Sequence, residues 1–136
     1  VVNAVGFFDD DQSAAEDIDY FLRILKKYKL AVIDEPLTRY RIRNSDSLGS
    51  SVYSYMEREK VLRKYDGMIE IKPSVMKEAY FNLYNSWGKH FLWLNKFEEA
   101  RTVLLMALRM KIAWDPIFFL VKTYLKPLLK KWRKID

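Results

Sequence analysis

Residues 6–25 read G-F-F-D-D-D-Q-S-A-A-E-D-I-D-Y-F-L-R-I-L, an acidic loop running into an amphipathic helix. Ile18, Phe21, Leu22 and Leu25 recur at the spacing of one helical face, while Asp17, Asp19, Arg23 and Lys26 fall elsewhere. Ser13 followed by Glu16 spells a capping box, in which the hydroxyl takes an orphan amide and the carboxylate returns the favour. The pattern therefore predicts a helix from Ala14 that fades near Tyr28 or Lys29. Asp17 falls in its first turn, where the positive end of the helix dipole favours an anion, and Asp19 is placed to pair with Arg23 one turn later. Taken alone, such acids cap and solvate a helix.

Beyond this helix, residues 30–34 read as a short strand, Glu35-Pro36 as a turn, and 37–42 as a second extended run. In that run Tyr40 and Ile42 alternate with Arg39, Arg41 and Arg43. Residues 44–51, polar and containing Gly49, close the region as a loop.

The ordered set Gly6, Phe8, Asp9, then Glu16-Asp17 opening a helix with Leu22-Arg23, then Tyr28-Lys29-Leu30, Ile33, Glu35-Pro36-Leu37 and Tyr40-Arg41 resembles the end of the catalytic domain of family-2 glycosyltransferases. These are inverting enzymes of GT-A fold that use nucleotide-sugar donors. The resemblance covers about the first fifty residues, over a third of the chain. It implies Asp17 as the general base that takes the proton of an acceptor hydroxyl. Glu16 matches the partner in the acid pair, first as a capping group and second as an acceptor-binding one. Gly6 and the turn through Phe8 and Asp9 look like the border of the acceptor pocket, where a glycine lets the backbone turn or approach a ligand. Arg41 and Arg43 become substrate-binding candidates: Arg43 stands where many relatives carry a metal-holding histidine, and a guanidinium binds diphosphate oxygens instead of a cation. No metal ligand is assigned in this chain. A divalent metal, Mg or Mn, is expected only in a full-length parent, because the Asp-x-Asp element that carries it in this family, with the nucleotide-binding strands, does not precede Gly6. Asp9-Asp10-Asp11 has the letters but belongs to a different element. The resemblance thus implies a C-terminal fragment, inactive by itself, with no cofactor bound to it.

Further along, Val52–Tyr65 reads as a helix capped by Ser50 or Ser51 and stopped by Asp66-Gly67. Val52, Tyr55, Met56, Glu59 and Leu62 share its apolar side, with Glu59 placed to pair with Arg63. Pro73-Ser74 punctuates the start of a helix dense in aromatics, about Val75 to Leu94, and after Asn95-Lys96 another runs from Phe97 to near Met110. Measured from Ala100, Gly88 and Ala107 fall where a tetratricopeptide repeat places small residues, and Trp87 and Phe91 where it places large ones. The pair resembles one such hairpin, which cannot bury its own face and must stack on neighbours. It reads as scaffold before peptide recognition. His90, the sole histidine, has no second ligand nearby and reads as structural.

Asp115-Pro116 begins a last helix, apolar through Ile117, Phe118, Leu120, Val121, Leu125 and Trp132, with Lys122, Lys126, Lys130 and Lys131 interleaved; Pro127 is expected to bend or break it. The formal net charge is +6, and from Lys122 to Lys134 every charged residue is basic. Two expectations compete for this helix: it lies against an anionic membrane surface, or it packs on the hairpin. Nucleic acid is disfavoured as a partner, since no recognition motif is present and the acidic region would repel phosphate. The chain has no cysteine, which suits a reducing compartment. Residues 1–8 lack the basic start of a signal peptide, and no run approaches the ~20 apolar residues of a membrane span.

The expectation is a mainly α chain of helical hairpins, with at most a short two-stranded β segment near residues 30–43. It is the truncated end of a GT-A α/β domain (1–50), a helical region with the TPR-like hairpin (51–114) and a basic amphipathic helix (115–136). The parent transfers a sugar from a nucleotide diphosphate to a hydroxyl of a glycan or lipid-linked acceptor, in the cytoplasm or at the inner face of the membrane, in polysaccharide biosynthesis. A fragment with a cut core is expected to self-associate. The competing expectation is a non-catalytic helical interaction module.

Overall fold

The computed structural model describes residues 2–39 and 51–132, with side chains as far as Leu128. Among the described residues every regular element is a helix: α1 (Val2–Val5), α2 (Glu16–Leu25), α3 (Val52–Tyr65), α4 (Pro73–Trp93), α5 (Phe97–Met110) and α6 (Trp114–Trp132). They fall into two compact units, residues 1–61 and 62–136, with α3 running from one into the other.

In the first unit, α2 starts two residues later than the capping box predicts. Ala15 is its N-cap, in the left-handed region at φ 67°, with no side-chain cap bond. Ser13 is diverted: its hydroxyl hydrogen-bonds the Tyr53 hydroxyl on α3. The helix proper ends at Leu25, and the Lys27 and Tyr28 amides, both donating to the Ile24 carbonyl, carry a turn onward. The Asp19–Arg23 pair forms at 2.9 Å with Asp19 wholly buried. Residues 30–39 make no strand, which is within the expectation of at most a short two-stranded β segment, and the run read as extended at 30–34 is irregular. A strand is stabilised by its ladder, and here Leu30, Val32, Ile33 and Leu37 stand exposed instead. The remainder of the second run, residues 40–43, lies outside the described residues.

α3 has the expected bounds. The Ser51 hydroxyl accepts the Ser54 amide at 3.2 Å, a first-turn cap. The face is not the expected one. Ser54, Glu57, Val61 and Tyr65 are buried, while Met56 is half exposed. Glu57, not Glu59, is the acid on the inner side; one of its oxygens takes the Lys60 ammonium at 2.5 Å and the other has no partner. Buried polar groups at this spacing leave little apolar periodicity to read.

The second unit is built on the α4–α5 hairpin, with α6 packed mainly on α5 and less on α4. α4 has Pro73 at its first position, where a missing N–H costs nothing. It ends in a Schellman motif: Asn95 is left-handed at φ 60°, its amide donates to Leu92 O at 3.2 Å, and the Lys96 amide donates to Phe91 O at 2.9 Å. Ala100, Leu104 and Ala107 of α5 have no exposed surface, and Leu104 faces a buried Gly88 on α4. A Cβ at Gly88 would lie 2.6 Å from Leu104 Cγ, so the absent side chain is what lets the helices come this close. Arg101 of α5 pins α6: its Nε donates to the buried Thr123 hydroxyl at 3.2 Å, and its guanidinium lies 4.3 Å from the Tyr124 ring centroid. Asp115, in the first turn of α6, accepts the Asn85 amide at 2.6 Å and pairs with Lys89, both on α4. One side of the last helix packs on the hairpin, as one of the two expectations has it. Pro127 does not break α6, which is helical to Trp132. No helix among the described residues is long and apolar enough to cross a membrane.

Candidate functional site

The acidic loop is held by one side chain. Arg23 reaches from α2 so that Nη1 donates to Val5 O at 2.5 Å and Nη2 to Phe7 O at 2.6 Å, while Nε keeps Asp19. These carbonyls flank Gly6, whose φ of 80° is the left-handed turn that aims both at one guanidinium. The Lys27 ammonium takes Ala4 O as well. Arg23 of α2 and Lys27 just beyond its end therefore satisfy carbonyls at and after the end of α1. Phe8 packs on Tyr20 with ring centroids 4.8 Å apart. Asp9 is spent locally: its Oδ1 accepts the Asp11 amide at 3.2 Å and its carbonyl accepts the Gln12 amide at 3.0 Å.

A separate cleft of about 190 Å³ opens at the start of α2. Ser13, Glu16 and Asp17 line one wall, and Ser54 and Arg58 of α3 line the other. Asp17 is exposed, and its Oδ1 accepts the Ile18 amide at 2.8 Å. Arg58 also stands 5.8 Å from the Tyr55 ring centroid, and burial pushes the Tyr55 hydroxyl up from its ordinary value while that cation pulls it down. The cleft thus joins two carboxylates, two hydroxyls and a guanidinium, groups that can hydrogen-bond an alcohol, accept its proton and hold an anion.

Of the residues expected to form a site, the structure brings together Glu16 and Asp17. Gly6, Phe8 and Asp9 belong to the Arg23-held loop and do not line this cleft. Arg41 and Arg43 lie outside the described residues. Ser54 and Arg58 were not signalled by the sequence. They sit four apart and so share a face of α3, but nothing in their spacing says that this face meets the start of α2. Among the described residues no three His, Cys, Asp or Glu side chains come together to hold a metal ion, so no step is assigned to the divalent ion that the resemblance implies. His90 lies on α4, its ring 5.9 Å from that of Trp93, and burial lowers its pKa.

No protein-family model, curated protein or solved structure matches this chain.

Proposed function

We propose that residues 1–50 are the closing segment of an inverting, family-2-like glycosyltransferase domain in a longer protein, and that the helices after it are scaffold. The observation that carries the reading is the position of Asp17. In the ordered set of motifs that resembles the family it is the catalytic aspartate, and it stands exposed on a cleft whose opposite wall supplies Ser54 and Arg58. Asp17 takes the proton of an acceptor hydroxyl as that oxygen bonds to the anomeric carbon. The bond from that carbon to the nucleotide diphosphate breaks, and the diphosphate leaves with the electron pair from the opposite face. Ser54 and Arg58 orient the acceptor, a glycan or lipid-linked alcohol. The exposed apolar side chains of residues 30–39 support the same reading, since they suit a segment whose sheet partners come from elsewhere in the parent. Absence of cysteine suits a reducing cytoplasm.

The test is a transfer assay on the protein that carries the nucleotide-binding half. Asp17→Asn is expected to lower transfer by about 10²–10⁴-fold with nucleotide affinity unchanged. Equal loss of both would make Asp17 a structural residue and leave the helical interaction module as the better reading.

A further inference from the structure

On the outer side of α4 and α6 an open cleft of about 450 Å³ is walled by Leu92, Trp93, Phe119 and Leu125. Trp93 is 73% exposed and Leu125 51%. Phe118, Val121 and Leu128 continue the exposed apolar surface along α6, spaced with Leu125 at three, four and three residues, which keeps them on one stripe of the helix. Apolar surface of this extent on an isolated chain marks a contact face.

The charge around it has one sign. Lys89, Lys122 and Lys126 line the cleft and no acid does. Each lies along apolar surface. The Lys122 ammonium is 4.4 Å from the Phe118 ring centroid and 5.3 Å from that of Phe119, Lys89 is 5.0 Å from Phe119, and Lys126 reaches Leu92 O at 3.5 Å. Lys89 is already paired with Asp115. Beyond the cleft the sequence adds Lys130, Lys131, Arg133 and Lys134. An apolar face carrying an exposed tryptophan, with lysine ammonium groups lying against its rings and no acid lining the cleft, suits the boundary between acyl chains and acidic headgroups. An acidic peptide would satisfy the lysines but would place its own carboxylates against Trp93 and Leu125.

We infer that this α4–α6 face docks on an anionic lipid surface, lying in the interface without crossing it. The inference is independent of the glycosyltransferase reading and stands or falls without it.

The experiment is co-sedimentation of the full 136-residue chain with vesicles of phosphatidylglycerol and phosphatidylcholine in a 3:7 ratio (an experimental choice of about one-third acidic lipid), against phosphatidylcholine alone. Binding to the acidic vesicles is expected. Lys122→Ser with Lys126→Ser should weaken it roughly fivefold per charge removed, whereas the double arginine variant should retain it. Trp93→Ser with Leu125→Ser, both at exposed positions and checked for unchanged helix content by circular dichroism, should weaken it at least about tenfold. Retention no better on acidic than on neutral vesicles overturns the inference. So does full binding by the Trp93/Leu125 variant, which would assign the effect to the basic tail alone. Equally tight binding to soluble polyglutamate, or a stable dimer abolished by Leu125→Ser, would give the face to a protein partner and also overturn it.

Discussion

Gly88 and Leu104 meet so closely that a single methyl group on the glycine would sit 2.6 Å from the leucine Cγ. The contact lies between buried positions of α4 and α5, so neither side can swing into solvent. Gly88→Ala is expected to destabilise the second unit by about 1–3 kcal/mol, seen as a lower urea midpoint. Leu104→Ala alone should cost about 2–5 kcal/mol. Because the two changes share one space, the double variant should be more stable than the sum predicts.

Arg23→Ala removes the paired cation of a fully buried carboxylate and two donors to backbone carbonyls at once. The expected loss is about 3 kcal/mol, at the low end for a buried pair because the arginine is partly exposed. It should appear as faster amide hydrogen exchange across residues 2–25, with exchange in α4 and α5 unchanged. Asp19→Asn added to Arg23→Ala should cost less than the two single changes summed, since both act on the same pair.

Asn95 holds a left-handed backbone at the end of α4. Glycine there carries no Cβ penalty, and a β-branched residue carries a large one. Asn95→Val is expected to cost about 1–2 kcal/mol, read as a lower Tm, and Asn95→Gly to leave the Tm unchanged or raise it.

Acid should weaken the second unit in two stages. Burial lowers the His90 pKa from its ordinary value of 6.5. The unfolded chain therefore binds a proton that the folded one refuses, and stability falls as pH drops below about 6.5. The Asp115 carboxyl is held below its ordinary value chiefly by the Lys89 ammonium and then by the Asn85 amide. Its contribution is complete above the unfolded carboxylate value and is lost as pH falls below about 4. Urea midpoints across this range should lose the upper stage in His90→Gln and the lower stage in Asp115→Asn.

Helix bounds were legible wherever a local signal had no competitor. Ser51 and Asp66-Gly67 fix both ends of α3, and Pro73 and Asn95 bracket α4, because caps and stops act within a turn of the chain. The start of α2 was misread for the opposite reason: Ser13 was free to bond across the chain to Tyr53, which local spacing cannot show. The inner face of α3 was hidden because Ser54 and Glu57 are buried there in place of apolar residues. Pro127 stands inside α6 without ending it: an interior proline removes one backbone bond, which a helix held by its neighbours can lose and continue. At the cleft, Glu16 and Asp17 were visible as an acid pair opening a helix. Ser54 and Arg58 were not, because their relation to Asp17 exists only through tertiary structure. The close approach at Gly88 agrees with what the resemblance to a tetratricopeptide hairpin implies, since that hairpin places a small residue there.

The guanidinium that grips carbonyls on both sides of Gly6 also imposes a ruler on the chain. The path of the chain from Val5 to Arg23 must return α2 to within reach of the Val5 and Phe7 carbonyls. An insertion or deletion between Phe8 and Ala15 would have to be absorbed by the loop itself, without moving the Val5 and Phe7 carbonyls off the Arg23 fork.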